Sequence, residues 1–392
     1  MNSEYDIVVV GARCAGASTA MLLARSGLRV ALVDRARPGT DTMSTHALMR
    51  AGVLQLHRWG LLDQVVAAGT PAIRQTVFHY ADEPVAIPVK AHGGVDALYA
   101  PRRTVLDPIL VSAAEHAGAD VFFNFSATDV IRSPTGRVVG VTGHDARRAE
   151  IQITAAMTVG ADGVRSTIAN AVGAAVERRA ARASGFVYAY VDDLPADGYE
   201  WFYRTGLTAG LIPTNDNRTV AWVGAPSARF RSEIAPDVPG GYRRLMAEMS
   251  PSLASRVAAA GPVGRFHSSA GVPGFIRKPW GPGWALVGDA GYWKDPITAH
   301  GISDALRDAE VLAGAIESLL SGAASESAAL VSYQRTRDRL SEQLFAETEY
   351  LASYRWDMAS IGGHLRAVSA AMSDEVKYLQ ALDDPDAARA AG

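Results

Sequence analysis

The chain has 392 residues, 48% of them apolar, and a formal charge of −3 from 38 basic and 41 acidic side chains. That length can bury a large core and points to two structural units, and the near balance of charge argues against nucleic acid as a partner. The single cysteine excludes an internal disulfide framework and a cysteine metal cluster, so a reducing compartment and no metal are expected.

The opening MNSEYD is acidic and lacks the basic segment of a signal peptide, and no apolar stretch reaches the length of a membrane span. A cytoplasmic protein is therefore expected. Ile7 to Val10 form a continuous apolar run, as in a parallel strand buried on both faces. The run enters GARCAG, after which the apolar spacing turns helical through Ala20, Leu23 and Ala24 as far as Gly27. A second apolar run, RVALVD, ends in Asp34 and is followed by Arg35. Strand, glycine turn, helix, strand and terminal acid is the order of a dinucleotide-binding fingerprint. Gly11 permits the tight turn and Gly16 lets the helix pack closely, while the first amides of the helix face a pyrophosphate. Asp34 would accept hydrogen bonds from a ribose. Arg13 stands where the second glycine is usual, and it either folds over the phosphates or stays solvated. Beside it, Cys14 and Ala15 complete the turn. A helix N-terminus can activate a thiol, but a small packed residue under the cofactor is the simpler reading of Cys14.

Further on, LMRAGVLQLHRWGLLDQV and LYAPRRTVLDPILVSAAEHAGADV each read as an amphipathic helix after a loop. TVGADGVRSTIANAVG reads as a strand running into Asp162-Gly163 and then a helix. Four strands follow, in GFVYAYVDDL, YEWFYRTG, LTAGLIPTN and RTVAWVGA, separated by Gly, Pro, Asn and Asp turns. VFHYADEPVAIPV adds strands to the same sheet. These strands carry Tyr188, Tyr190, Trp201, Tyr203 and Trp222, an aromatic load suited to a planar apolar ligand. Aromatics at period two also serve as plain core, so contact with a ligand is expected of one or two only. In WALVGDAGYWKDPITAHGISDALRDAEVLAGAIESLL a strand ends in Gly288-Asp289, a proline loop follows, and a long helix starts near Gly301. From Val331 onward the chain is helical and could close a pocket or form a dimer face. The terminal DDPDAARAAG reads as frayed.

These motifs, in this order, resemble the FAD-dependent monooxygenases of the para-hydroxybenzoate hydroxylase type and the neighbouring geranylgeranyl-reductase-like flavoproteins. The resemblance implies that the turn from Gly11 to Gly16 takes the ADP portion, that Asp162-Gly163 supports the pyrophosphate, and that Gly288-Asp289 grips the ribitol. It further implies a pyrophosphate contact from Arg50 in MRAGVL and a polar FAD contact from Arg103 in RTVL. The loop from Pro296 to Gly301, with Ile302, would aim its backbone amides and a helix dipole at the flavin pyrimidine edge, beside the place where oxygen meets the reduced ring. The chain departs from the family pattern at Gly291-Tyr292 after the Gly-Asp pair, at Ser303, and at Lys294 and Asp295 before the proline.

The expected fold is α/β: a Rossmann-like FAD-binding domain with an inserted antiparallel β-sheet substrate domain and a C-terminal helical segment. The FAD-binding domain would comprise residues 1–75, 96–178 and 269–330, the substrate domain 76–95 and 179–268, and the helical segment 331–392. Candidate catalytic residues are Pro296, His300 and His46, with His267 as another histidine near the sheet, and candidate substrate contacts are Trp201, Tyr203 and Trp222. No second glycine fingerprint follows a strand, so NAD(P)H would visit transiently, or a partner flavin reductase would deliver reduced FAD. The expected activity is insertion of one oxygen atom of O2 into an apolar, aromatic or polycyclic small molecule. A reductase of carbon–carbon double bonds is the alternative, followed by a flavin-dependent halogenase, whose W-x-W-x-I-P signature is missing, and by a non-enzymatic FAD scaffold. Oligomeric state stays open.

Overall fold

The computed structural model describes residues 4–80 and 83–382, so the stretch expected to fray lies outside the described residues. Apolar runs without polar alternation form the central parallel sheet, because helices or further strands cover both of its faces. Tyr5–Val10 lies between Val30–Asp34 and Glu150–Gly160, and the row extends to Asp120–Phe123 on one side and Trp284–Leu286 on the other, all in parallel register. Helices Cys14–Arg25, Arg103–His116 and Gly301–Leu320 pack on one face through a buried cluster that includes Leu23, Leu106, Leu110, Leu312 and Ile316. The first half of Glu150–Gly160 leaves this sheet to pair antiparallel with Val138–His144, which in turn pairs with Ser126–Arg132.

The second sheet has seven strands in the order Pro262–Ser269, Ser184–Asp192, Arg218–Pro226, Leu207–Thr214, Tyr199–Arg204, Gln75–Tyr80 and Glu83–Pro88. Neighbours are antiparallel except for Tyr199–Arg204 and Gln75–Tyr80, which run parallel. The expected antiparallel sheet is thus corrected to a mixed one. Gln75–Tyr80 arrives from a distant part of the chain rather than through a hairpin, and nothing forces it to reverse direction. Alternation along the strands sorts the side chains cleanly. Tyr188, Tyr190, Trp201, Tyr203 and Trp222 share one face, while Val187, Val191, Phe202, Leu211 and Val223 share the other.

Both faces are covered. The aliphatic face packs against helices Val238–Met249 and Pro251–Ala260 through Tyr242, Leu245, Leu253 and Val257. The expected sheet domain of residues 179–268 thus also contains two helices that the sequence reading did not name. Their starts carry helix signals: Asp237 and Ser250 cap the first turns, each followed by a proline within two positions. The aromatic face lies under the C-terminal helices Glu326–Leu351 and Ile361–Ala381, through Leu344, Leu351, Trp356, Ile361, Val368 and Ala371. Val176–Arg179 pairs with Phe275–Arg277, so the chain enters and leaves the second sheet side by side. Among the described residues no helix is long and apolar enough to cross a membrane.

Candidate active site

The turn after Tyr5–Val10 is shaped by two glycines. Gly11 adopts a φ of 110°, and any Cβ there would press on the carbonyl of Ala161. Gly16 sits against the Gly11 carbonyl oxygen so closely that a Cβ would overlap it. The first intrahelical bond runs from the amide of Ala17 to the carbonyl of Arg13, which leaves the amides of Cys14, Ala15 and Gly16 without carbonyl partners in the helix. Asp34 buttresses this turn, its carboxylate accepting from the amides of Ala12 and Ala36 at 2.7 Å each. Arg35 is exposed beside it. Across the turn, Asp162 accepts from Ser166 Oγ at 2.5 Å and from the amides of Thr167 and Ile168 at 2.6 and 3.2 Å. Burial pushes its carboxyl up, against the pull of those bonds. A Cβ on neighbouring Gly163 would meet open space. Together these features make a backbone-lined cradle at a helix N-terminus, and it fits the diphosphate of a dinucleotide.

Under the cradle lies a charged group that includes a residue not anticipated from the sequence. Asp107 receives Arg103 Nε at 2.8 Å and Nη2 at 3.0 Å, faces Arg13 Nη1 at 3.5 Å, and accepts from Cys14 Sγ at 3.4 Å. The Arg-to-Asp spacing of four on one helix was a readable signal for this pair. Burial pushes the Cys14 thiol up to about 12, so it is packed and unreactive rather than activated. Gly288 touches Ala15 across the cleft, and a Cβ on it would come within 2.7 Å of the alanine methyl. Asp289, half-buried next to it, has its carboxyl pushed up to about 6 by burial, opposed by Lys294 and Arg103. Arg50 is turned elsewhere: its guanidinium donates to the carbonyls of Lys90 at 2.6 Å and Val95 at 3.3 Å.

At the other end, Pro296–Thr298 forms a short turn, Ala299 adopts a left-handed φ of 49°, and helix Gly301–Leu320 begins. Pro296 and Gly301 are exposed and Ile302 is half-buried, and a Cβ on Gly301 would meet nothing. The loop is therefore open at its two ends, Pro296 and Gly301, while Ile297 to His300 between them are buried. The His300 side chain turns the opposite way, fully buried, with Nε2 2.5 Å from Glu375 Oε2. Behind it Lys294 pairs with Asp304, and Arg307 binds Asp304 at 3.1 Å, Asp308 at 2.7 Å and Glu375 at 3.3 Å. Donor atoms of His300, Asp304 and Glu375 lie within 4.8 Å of one another, but Arg307 and Lys294 already engage these carboxylates, and the group reads as a buried ion network. Burial pulls the Lys294 ammonium down to about 7. Sequence reading marked Lys294 as a departure but missed Arg307, Asp308 and Glu375. Glu375 lies 75 positions from its histidine, with no local signal to tie them.

His46 is fully buried at a left-handed φ of 65°, a conformation that costs a non-glycine residue on the order of 1 kcal/mol. Its Nε2 lies 2.6 Å from Tyr190 Oη, and burial together with Arg103 pulls the imidazole down to about 3. His46 is therefore a neutral hydrogen-bonding group rather than a charged one at ordinary pH. Arg102 covers the Tyr190 ring at 4.8 Å and reaches Asp41 at 3.3 Å, which links this corner to the surface. His267 stacks on Tyr188 with centroids 4.7 Å apart. Trp201 and Trp222 meet at 6.1 Å within the aromatic cluster, and Tyr203 stands against Trp356 at the same separation. The cluster also contains Ile297 and Ala299 of the proline loop.

The cradle, the loop presented to the cleft and the aromatic sheet define a flavoprotein, and comparison with known proteins agrees. The chain belongs to the FAD-binding domain family, which it matches over residues 4–348, and it is an FAD-dependent oxidoreductase. A digeranylgeranylglycerophospholipid reductase of Methanocella arvoryzae is 24% identical over 358 residues, covering 88% of this chain and 86% of the relative. The aklavinone 12-hydroxylase RdmE of Streptomyces purpurascens is 33% identical over 195 residues, which is 43% of this chain and 35% of that one. Among solved structures, PqsL of Pseudomonas aeruginosa superimposes with a TM-score of 0.79 at 23% identity, over 92% of this chain and 99% of the other.

Proposed function

We propose that the chain is an FAD-dependent monooxygenase that inserts one oxygen atom of O2 into an apolar, aromatic or polycyclic small molecule, with NAD(P)H as the source of electrons. One observation carries this reading. Trp201, Tyr203 and Trp222 share a single buried cluster with Ile297 and Ala299 of the proline loop and with Leu344, Leu351 and Val368 of the C-terminal helices. An aromatic wall thus adjoins the loop assigned to the flavin, under a roof that excludes water. Bound FAD would supply hydride acceptance from NAD(P)H and, once reduced, electrons for oxygen.

The chain's own residues do the rest. Free amides of Cys14 to Gly16 hold the pyrophosphate, with Arg103 and Asp289 along the cleft. The exposed backbone at Gly301 and the dipole of helix Gly301–Leu320 would favour negative charge at the ring edge. Tyr190 and His46 form a hydrogen-bonded pair that can hold or pass a proton between the aromatic wall and the Arg102–Asp41 corner. A partner flavin reductase is the other route for electrons, since the sequence holds no second dinucleotide fingerprint.

A reductase of carbon–carbon double bonds is the second reading, favoured by the coverage of the relatives: the reductase matches 88% of the chain and the hydroxylase 43%. The halogenase reading rests on shared fold alone and lacks the tryptophan-rich signature. To separate the first two, the holoprotein is reduced without air and mixed with oxygen in the presence of polycyclic phenols or of unsaturated isoprenoids. Fast reoxidation with label from 18O2 in a phenolic product supports the monooxygenase. Slow reoxidation, with the isoprenoid saturated under anaerobic conditions, overturns it in favour of the reductase.

A further inference from the structure

The last described helix, Ile361–Ala381, crosses three environments along one face. Ile361, Val368 and Ala371 sit in the aromatic cluster, Glu375 enters the ion network behind the proline loop, and Val376 and Leu379 reach the core of the FAD-binding sheet. This helix lies wholly beyond the stretch matched by the family, which ends at residue 348. A buried carboxylate needs strong partners, and Glu375 has them: His300 Nε2 at 2.5 Å and Arg307 Nη1 at 3.3 Å.

We propose that Glu375 is a positioning residue for the flavin loop, holding the His300 ring turned inward so that the exposed helix start at Gly301 faces the cleft. The geometry is specific. His300 immediately precedes helix Gly301–Leu320, and Arg307 stands two turns along the same helix, so one carboxylate anchors both the first residue and the body of the element whose N-terminus is presented to the cofactor. The carboxylate also fixes the histidine tautomer. With Nε2–H donated to Glu375, the lone pair lies on Nδ1, which is buried and without a hydrogen-bond partner. The ionisable groups facing this pair are Lys294 and Tyr292 on the preceding strand and loop, and Asp304, Arg307 and Asp308 on the helix. Helix Glu326–Leu351 contributes the hydroxyl of Ser341, 3.0 Å from Arg307. Burial pulls the imidazole below its ordinary range while Glu375 pulls it back up.

The inference rests on the proposed placement of the flavin at this loop and not on the reaction the flavin performs. Its test uses the FAD-loaded protein with Glu375→Gln and, as a packing control on the same helix, Val376→Ala. Loss of a buried negative charge behind the loop should make reduced flavin easier to form, so the midpoint potential of Glu375→Gln moves upward. The pH profile of flavin reduction moves with it. Val376→Ala should lower the melting temperature and leave potential and profile in place. His300→Gln supplies the second leg of a double-mutant cycle, and the effect of Glu375→Gln on the pH profile should vanish in that background. Should Glu375→Gln not fold, Glu375→Asp, which keeps the charge and shortens the reach, is expected to keep the parent's potential and alter the profile. An unmoved potential and profile in a folded Glu375→Gln protein, or strictly additive effects in the cycle, would overturn the proposal and leave Glu375 a core ion pair. The potential is read on bound flavin, so failure of the monooxygenase reading leaves this outcome intact.

Discussion

The two ends of the proposed cofactor cleft, the ADP end and the flavin end, are built by different means. At the ADP end the carboxylates of Asp34 and Asp162 accept hydrogen bonds from backbone amides close in sequence or across a single strand crossing. At the flavin end Asp304, Asp308 and Glu375 pair with a guanidinium, an ammonium and an imidazole drawn from three segments. Backbone donors cannot be mutated away, so the first end answers to changes of shape. The second is held by buried charges, whose loss leaves partners uncompensated in a low dielectric, and it answers to changes of charge. Substitutions that alter one property and not the other test this contrast.

The largest effect is expected from Gly16→Val. Its Cβ would overlap the Gly11 carbonyl oxygen, which is backbone and has nowhere to move. The turn must open, and the purified protein should carry at least tenfold less FAD, about 1.4 kcal/mol of binding or more, as the ratio of flavin to protein absorbance will show. A chain that stays fully yellow would mean that the cradle is looser than its geometry. Next in size is Arg307→Met at the other end. It strands Asp304, Asp308 and Glu375 without their shared cation, and chemical denaturation of the FAD-free protein should show a loss of about 3–5 kcal/mol. A loss below about 1 kcal/mol would mean that the three carboxylates tolerate the loss of their shared cation, by relaxing toward solvent or by taking up a proton.

This contrast also explains what a reader of the sequence could see. The glycine turn of the cradle lies within one strand–turn–helix–strand unit, and Gly11, Gly16 and Asp34 announce it through their spacing. The aromatic load was legible too, at period two along the strands, and the structure gathers Tyr188, Tyr190, Trp201, Tyr203 and Trp222 on one face. The partners of the histidines were not legible. His46 and His300 fall in the loops that approach the cofactor, yet the structure commits one to Tyr190 and the other to Glu375, partners that lie 144 and 75 positions away. Side-chain partnership over such separations leaves no mark on periodicity. For the same reason Arg50 pointed to the pyrophosphate on motif grounds, while its guanidinium meets the carbonyls of Lys90 and Val95.

A middling effect with a definite sign comes from Asp289, which lies between the two ends. Its carboxyl is pushed up to about 6 by burial, from an ordinary value near 4. A carboxyl whose folded pKa exceeds its unfolded one favours folding while protonated, and that contribution is lost as pH rises from about 4 to about 6. Asp289→Asn mimics the protonated form. In the FAD-free protein it should add on the order of 1 kcal/mol at pH 7, a reduced figure that allows for the partial solvent access of the carboxylate, and nothing below about pH 4. The same substitution should weaken FAD retention if the carboxylate receives ribitol hydroxyls. Stability and cofactor affinity then move in opposite directions, as expected of a residue kept for binding at a cost to the empty fold. If both fall together, Asp289 is a structural group.

The smallest effect is expected at Arg13, and it bears most directly on the glycine missing from the fingerprint. The guanidinium faces Asp107 at 3.5 Å, but Asp107 is already held by both forks of Arg103, and the Arg13 side chain is 35% exposed. A third partner on a satisfied carboxylate adds little, so Arg13→Ala should leave the stability of the FAD-free protein within about 0.5 kcal/mol of the parent. Affinity for FAD is the informative readout. If Arg13 folds over the phosphates, a cation beside an anion at the mouth of the cradle is lost, and affinity falls by about threefold to thirtyfold, with the difference shrinking as salt rises. Equal affinity at low and high salt would assign the arginine to solvent. In that case backbone alone builds the ADP end, and the contrast with the ion-paired flavin end becomes complete.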